Sequence, residues 1–307
     1  MATAAHPLVK VELPVSVRLE SGGGALPRIR VASAAGEAQL YLHGAQVTGW
    51  TPAGREPVIW MSQASRFSAD AAIRGGVPIC FPWFSAHPTD QRAPAHGFAR
   101  LTDWTLVEAT ESDDGTRLTL RLTDAEVGHG SAWPHRFEAT YRVSVGPALV
   151  LSLEVTNRDS EAVTFQEALH TYVAVRDVRE VAITGLEQAS YLDRLGGPAP
   201  VAPSAEPIRI GAETDRIYLD TTSPVTIADP GYERTITISK VGSRSTVVWN
   251  PWIDKARTMS DFGDDEWARM VCVETGNLGA AGVRLAPGGH HTMTATIEVA
   301  SEVAAGN

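Results

Sequence analysis

Cysteine is nearly absent from this 307-residue chain: there are two, Cys80 and Cys272, inside the apolar runs VPICFPWF and ARMVCVET. They form no CxxC pair, no His/Cys zinc spacing and no disulfide framework, so both are expected as reduced, buried thiols packing as small hydrophobes. Basic residues are also scarce, 26 Lys and Arg against 36 Asp and Glu. A net charge of −10 excludes a generic nucleic-acid binder, which neutralises phosphates with basic stripes. An anionic ligand would need a local cationic cluster to offset the field of the whole chain. Long hydrophobic runs are missing: no stretch reaches membrane-spanning length, and MATAAHPLVKVELP lacks the apolar segment of a signal peptide. The expectation is a cytoplasmic enzyme that engages no membrane. There is no Walker loop, GxGxxG, GxSxG or HExxH, so nucleotide-driven phosphoryl transfer, hydride transfer and triad hydrolysis lack sequence support. Acid–base chemistry by histidines and carboxylates remains, with no cofactor and no metal expected.

What is present is a globular composition, 43% hydrophobic and 20% charged, with enough apolar material for a sizeable core. From Arg28 onward, short β-branched and aromatic runs (RIRVAS, AQLYLHG, TRLTLRLT, FEATYRVSV, ALVLSLEVTN, AVTFQEALH, RTITISK, STVVWN, HTMTATIEVA) alternate with turn signals such as SGGG, DDG, VGP and PGG. Fourteen or more strands are expected, with short helical candidates only at 61–71 and 255–267. The pattern reads as an all-β antiparallel sandwich forming one domain over 1–307, with frayed tails at 1–7 and 301–307. The Pro-rich segment 196–207 reads as a surface loop.

The stretch IRGGVPICFPWFSAHPTDQRAPAHGFARLTDW, 73–104, is poor core material and good pocket material. Pro78, Pro82 and Pro94 remove backbone donors and exclude a helix or central strand. Gly75 and Gly76 suit a wall against which a ligand rests. If 96–100 is extended, His96, Phe98 and Arg100 face one way. Arg74 and Arg100 supply fixed cations, unless they pair with Asp70, Asp90 or Asp103. His170, ending AVTFQEALH, lies at a break between strand-like segments, where a structural histidine is commoner than a catalytic one; its titration range nonetheless suits proton transfer. Glu274 closes the run MVCVE before TGN, where burial would raise its basicity and a salt-bridged strand end is the plainer reading. Asp215 and Arg216 read as a turn leading into an edge strand. Trp249 and Trp252 could form a sugar-stacking platform or belong to the core. His43, His87, His129, His135, His290 and His291 have no distinguishing spacing.

Taken together, RGGVPICFPWF, PAHGFARLTDW, EALHTYVAV, ETDRIYLD, VVWNPW and VCVETGN, in that order over 40–295, resemble the glucose-6-phosphate 1-epimerase branch of the aldose 1-epimerase (galactose mutarotase-like) family. The resemblance implies a galactose mutarotase-like β-supersandwich that interconverts α and β anomers of a hexose 6-phosphate. It implies His170 as general acid, Glu274 as general base, His96 and Asp215 as substrate contacts, and Arg74 and Arg100 as phosphate ligands. It implies a small-molecule sugar phosphate as the only partner, with no obligate protein partner. Two positions depart: Ala95 stands where related sequences often carry Gln, which removes one possible hydrogen bond to substrate, and Ser85 where they carry Gly, which alters the loop. An aldose 1-epimerase of unphosphorylated sugars would share His170 and Glu274 without needing paired cations. A non-catalytic carbohydrate-binding sandwich would not need the acid–base pair, and glycoside hydrolysis usually requires two opposed carboxylates.

Overall fold

Alternation becomes strand directly. In FEATYRVSV and LVLSLEVTN every second side chain is buried, and the two segments pair so that their buried residues face the same core. The computed structural model describes residues 6–128 and 131–301. In chain order the strands are β1 (Val17–Ser21), β2 (Pro27–Ser33), β3 (Gly36–Tyr41), β4 (Gln46–Pro52), β5 (Ile79–Cys80), β6 (Thr105–Ser112), β7 (Gly115–Thr123), β8 (Phe137–Val145), β9 (Leu149–Asn157), β10 (Val163–Phe165), β11 (Glu167–Leu169), β12 (Tyr172–Ala174), β13 (Ala182–Thr184), β14 (Tyr191–Asp193), β15 (Thr214–Tyr218), β16 (Val225–Asp229), β17 (Arg234–Val241), β18 (Ser245–Asn250), β19 (Met270–Asn277), β20 (Val283–Leu285) and β21 (His290–Ser301). Two short helices, α1 (Asp124–Val127) and α2 (Trp252–Thr258), accompany them.

An eight-stranded sheet, β13-β16-β17-β21-β9-β8-β7-β6, forms one layer. Facing it are a four-stranded sheet, β1 to β4 in order, and a seven-stranded sheet, β14-β15-β18-β19-β11-β5 with β12 also on β19. Strands β2 and β3 lie against β7 and β8, and β19 against β21. Between the layers runs a core that includes Ile29, Trp50, Leu120, Tyr141, Leu151, Val271 and Ile297, all at most 1% exposed. Each such large apolar side chain contributes about 1.5–3 kcal/mol by leaving water.

The all-β antiparallel expectation holds, with local corrections. The run AVTFQEALH is two strands in different sheets, broken at Gln166, whose N–H donates to the Pro82 carbonyl at 2.8 Å. Segment 61–71 is not helical: Ser62 Oγ accepts from the Ala64 N–H, Ser65 Oγ from the Arg74 N–H, and Glu266 from the Gln63 N–H, which diverts the backbone from a helical ladder. Of 255–267, only the first part joins α2, which begins earlier, at Trp252. The frayed tails expected at 1–7 and 301–307 lie, apart from residues 6, 7 and 301, outside the described residues.

Candidate active site

Sheet register decides which side chains meet. Asp215 of β15 stands opposite Trp249 of β18, Trp249 opposite Cys272 of β19, and Cys272 opposite Tyr172 of β12. Opposed residues share a face, and Glu274, two positions beyond Cys272, shares it too. Glu274 was expected at a strand end; it is in mid-strand and 1% exposed, because Thr275, Gly276 and Asn277 continue β19 by pairing with β11. Asp215 was expected on an edge strand; β14 covers that edge and β15 is internal. His170 occupies the break between β11 and β12, with its N–H donated to the Pro78 carbonyl at 3.0 Å. Its ring stacks on Tyr172, centroids 4.8 Å apart at 9°, which brings Nε2 to 3.4 Å from Glu274 Oε1.

Burial acts on both members of this pair. It pushes the His170 pKa well below the usual histidine value, helped by His96, Arg100 and Arg74. It pushes the Glu274 carboxyl well above the usual range, with Asp215 adding to the rise and Arg194 and Arg100 opposing it. Two neutral-favouring groups 3.4 Å apart behave as a unit that holds one proton, which either member can carry.

His96 closes the site from the loop that follows β5. The expected extended segment is absent: His96 has φ 63°, Gly97 has φ 77°, and Ala99–Leu101 is a 3-10 turn. At Gly97 a Cβ would lie 1.9 Å from the Phe81 carbonyl oxygen, so the chain must turn there with glycine. Phe98 consequently joins the core beside Phe81 and Phe137 instead of the pocket. His96 Nδ1 accepts from the Ser85 N–H at 3.3 Å, which assigns the ring proton to Nε2. Burial, with Arg100, Arg194 and Arg74 nearby, lowers the His96 pKa to about 3, so the ring is a neutral donor. Gly75 and Gly76 do not wall a ligand; a Cβ on Gly76 would lie 2.3 Å from the Val47 carbonyl oxygen, and one on Gly75 2.7 Å from Met61 Cα.

Neither arginine pairs with Asp70, Asp90 or Asp103. Arg74 donates to Asp261 and to the Tyr172 hydroxyl, both at 3.1 Å, so the cation is braced against the ring that backs His170. Arg100 donates to the Ala95 carbonyl at 2.8 Å and, among the described residues, has no carboxylate within 4 Å. Eight buried side-chain polar atoms lack a partner among the described residues, and four belong here: Arg74 Nε, Arg100 Nε, His170 Nδ1 and Glu274 Oε2. Unsatisfied buried groups cost stability, so their concentration at one place marks a surface made for a ligand.

All six residues singled out in the sequence therefore meet. Trp249 joins them, edge-on to His170 at 6.1 Å, whereas Trp252 packs on Trp267 at 4.3 Å and takes no part. Sequence reasoning missed Tyr172, Asp261 and Arg194. Tyr172 had a signal, its period-two spacing from His170; Asp261 and Arg194 sit in polar stretches with none. One group, His170, Cys272 and Glu274, has donor atoms within 4.8 Å of one another. Burial drives the Cys272 thiol well above its usual pKa, and a protonated thiol beside a proton-sharing pair is a poor metal donor set. A surface cavity of about 510 Å³ bounded by Asp124, Trp133 and Phe137 contains none of the six.

The architecture around this centre is the galactose mutarotase-like supersandwich. Galactose 1-epimerase from Lactobacillus acidophilus NCFM has the same fold, with a TM-score of 0.72 at 12% identity over 94% of this chain and 99% of that one. The chain belongs to the aldose 1-epimerase family, whose profile matches residues 27–298. A relative in Cenchrus ciliaris, described as "Putative glucose-6-phosphate 1-epimerase", is 36% identical over 77% of this chain and 74% of its own length. A crystal structure from Salmonella typhimurium, titled as a "putative mutarotase", has a TM-score of 0.88 at 31% identity, covering 94% of this chain and 95% of that chain. No helix among the described residues is long and apolar enough to cross a membrane.

Proposed function

We propose that the chain, acting as one catalytic unit, interconverts the α and β anomers of a hexose 6-phosphate, with glucose 6-phosphate the principal substrate. The observation that carries this reading is the 3.4 Å approach of His170 Nε2 to Glu274 Oε1 on a buried face. In a cyclic sugar the ring oxygen and the C1 hydroxyl share one carbon, so an acid for one and a base for the other must stand side by side. Opposed carboxylates of a glycosidase are about 5 Å or more apart.

Glu274 takes the C1 hydroxyl proton while His170 gives its proton to the ring oxygen. The C1–ring-oxygen bond breaks and an aldehyde forms. Rotation about C1–C2 presents the other carbonyl face; the ring hydroxyl then attacks C1, returns its proton to His170, and the new C1 oxygen recovers one from Glu274. The proton count of the pair is unchanged over the cycle. His96, donating through Nε2, and Asp215 bind sugar hydroxyls. Arg100, assisted by Arg74, binds the phosphate. The names of the relatives support the phosphorylated substrate. Two free, buried cysteines support a reducing, cytoplasmic setting.

Anomer exchange followed by NMR with glucose 6-phosphate, galactose 6-phosphate and free glucose tests this. Faster exchange of the phosphates is expected. Equal acceleration of free glucose would favour an aldose 1-epimerase of unphosphorylated sugars, and no acceleration of any would leave a carbohydrate-binding sandwich.

A further inference from the structure

Arg194 follows β14 at one end of the seven-stranded sheet, and Ser85 follows β5 at the other. Yet the Arg194 guanidinium donates to Ser85 Oγ at 2.5 Å. The loop after β5 reaches it by lying across the site's own face, where Phe84 packs with Val247, Ile217 and Trp249. The guanidinium sits 5.9 Å from the Phe84 ring centre, and its Nε is 3.7 Å from Asp215.

Ser85 is tied in turn to His96. Its carbonyl accepts from the His96 N–H at 2.7 Å, and its N–H donates to His96 Nδ1 at 3.3 Å. It holds a left-handed backbone, φ 64°, which glycine takes without strain. The side chain kept there is the one Arg194 grips. One guanidinium thus joins Asp215 on the sheet to His96 on the loop, the two groups that bind sugar hydroxyls in the reading above. At 36% exposure the Arg194 side chain is at the rim, where a substrate enters.

We propose that Arg194 is a substrate-positioning residue: a latch that, through Ser85, fixes His96 and Asp215 in one geometry for the sugar. This rests on the anomer-exchange reading for the identity of the sugar. Removing the latch loosens both contacts whether or not the sugar carries a phosphate, which separates its role from that of Arg100. It also removes the nearer of the two cations that offset Asp215 beside Glu274, leaving Lys255. Glu274 faces Asp215, Arg194, Arg100, His170 and Cys272; of these Asp215 pushes its proton affinity up, and Arg194 and Arg100 pull it down.

The test compares wild type, Arg194→Ala, Arg194→Lys and Ser85→Gly by anomer exchange over a range of pH, with melting temperature recorded for each. For Arg194→Ala, KM is expected to rise about tenfold for glucose 6-phosphate and for free glucose alike, the effect of losing one charged hydrogen bond. The alkaline limb of its pH profile should move to higher pH. Lysine should restore the pH profile without restoring KM, because it supplies the charge and not the fork. Ser85→Gly should raise KM severalfold and leave the pH profile in place. An Arg194→Ala enzyme with unchanged KM and pH profile would overturn the proposal. So would a raised KM in Arg194→Ala with none in Ser85→Gly, since the latch acts through that hydroxyl. Calorimetric binding of glucose 6-phosphate reads the same weakening without turnover. A wild type that binds but does not exchange anomers would sink the acid–base reading and leave this one standing.

Discussion

Replacing Arg100 with alanine separates phosphate recognition from chemistry. A sugar phosphate carries about −1.5 to −2 charge near neutrality. Two unit charges about 4 Å apart near a protein surface interact by about 4 kcal/mol at an effective dielectric of about 20. Desolvation returns part of that, and a net loss of about 2–3 kcal/mol is in line with removal of one partner from a buried charge pair, or about 30- to 150-fold in kcat/KM. Arg100 brings a whole charge to this interaction, because among the described residues its side chain bonds only the Ala95 carbonyl. Arg74 brings less, because Asp261 at 3.1 Å already offsets it. Arg74→Ala should therefore cost only about tenfold in phosphate selectivity. It should also lower kcat on every sugar, since it removes the bond that holds Tyr172 behind His170. The assay is anomer exchange by NMR with glucose 6-phosphate and free glucose at two ionic strengths; for the wild type, added salt should raise KM for the phosphate alone. A folded Arg100→Ala enzyme that loses equally on both sugars would refute phosphate binding by this residue. A larger selective loss in Arg74→Ala than in Arg100→Ala would refute the charge accounting.

His170→Ala and Glu274→Gln should each reduce kcat by about 100-fold or more, the scale of a positioned acid or base; near-normal turnover in either folded variant would remove that residue from the mechanism. The pair is active with one proton, so kcat should be bell-shaped in pH: the acid limb, where depressed His170 and Glu274 are both protonated, falls below the ordinary histidine value, and the alkaline limb falls above the ordinary carboxylate range. An alkaline limb at the ordinary carboxylate value would contradict the effect of burial on Glu274. Exhaustive chelation should leave turnover unchanged, and inhibition reversed by added metal would contradict the metal-free scheme. On β21, His291 lies 3.1 Å from fully buried Glu167, and the hydrogen bond to that carboxylate raises its pKa. A raised folded pKa means stabilisation present below the unfolded value and lost as pH rises through the folded one. The melting-temperature gap between wild type and His291→Gln should therefore shrink from acid to alkaline pH, and a constant gap would refute the linkage.

The fold was legible because alternation in runs such as FEATYRVSV is a property of adjacent residues. The six candidate site residues stood out because they lie in short motifs that resemble a family. Their geometry was less legible. The strand position of Glu274 depends on Thr275, Gly276 and Asn277 pairing with β11, a partner about 110 residues away. His96 and Arg100 converge through a turn at Gly97 that exists because Phe81 crowds it, which no local pattern states. Arg194 and Asp261 acquire their meaning only from neighbours across the fold, Ser85 and Asp215 for one, Arg74 for the other.

Glu274, Asp215 and Tyr172 stand on paired strands whose register fixes them relative to one another, and His170 is pinned between two of those strands. Arg74, His96, Arg100 and Arg194 lie outside every strand. The proposed proton-transfer pair and one sugar contact, Asp215, are thus set by a hydrogen-bonded lattice, and the other recognition groups by irregular segments that can change length and sequence without shifting that lattice. Exchange of the segments bearing Arg74 and Arg100 for others is a route by which such a sheet can be turned to differently substituted sugars while its proton-transfer pair stays where it is.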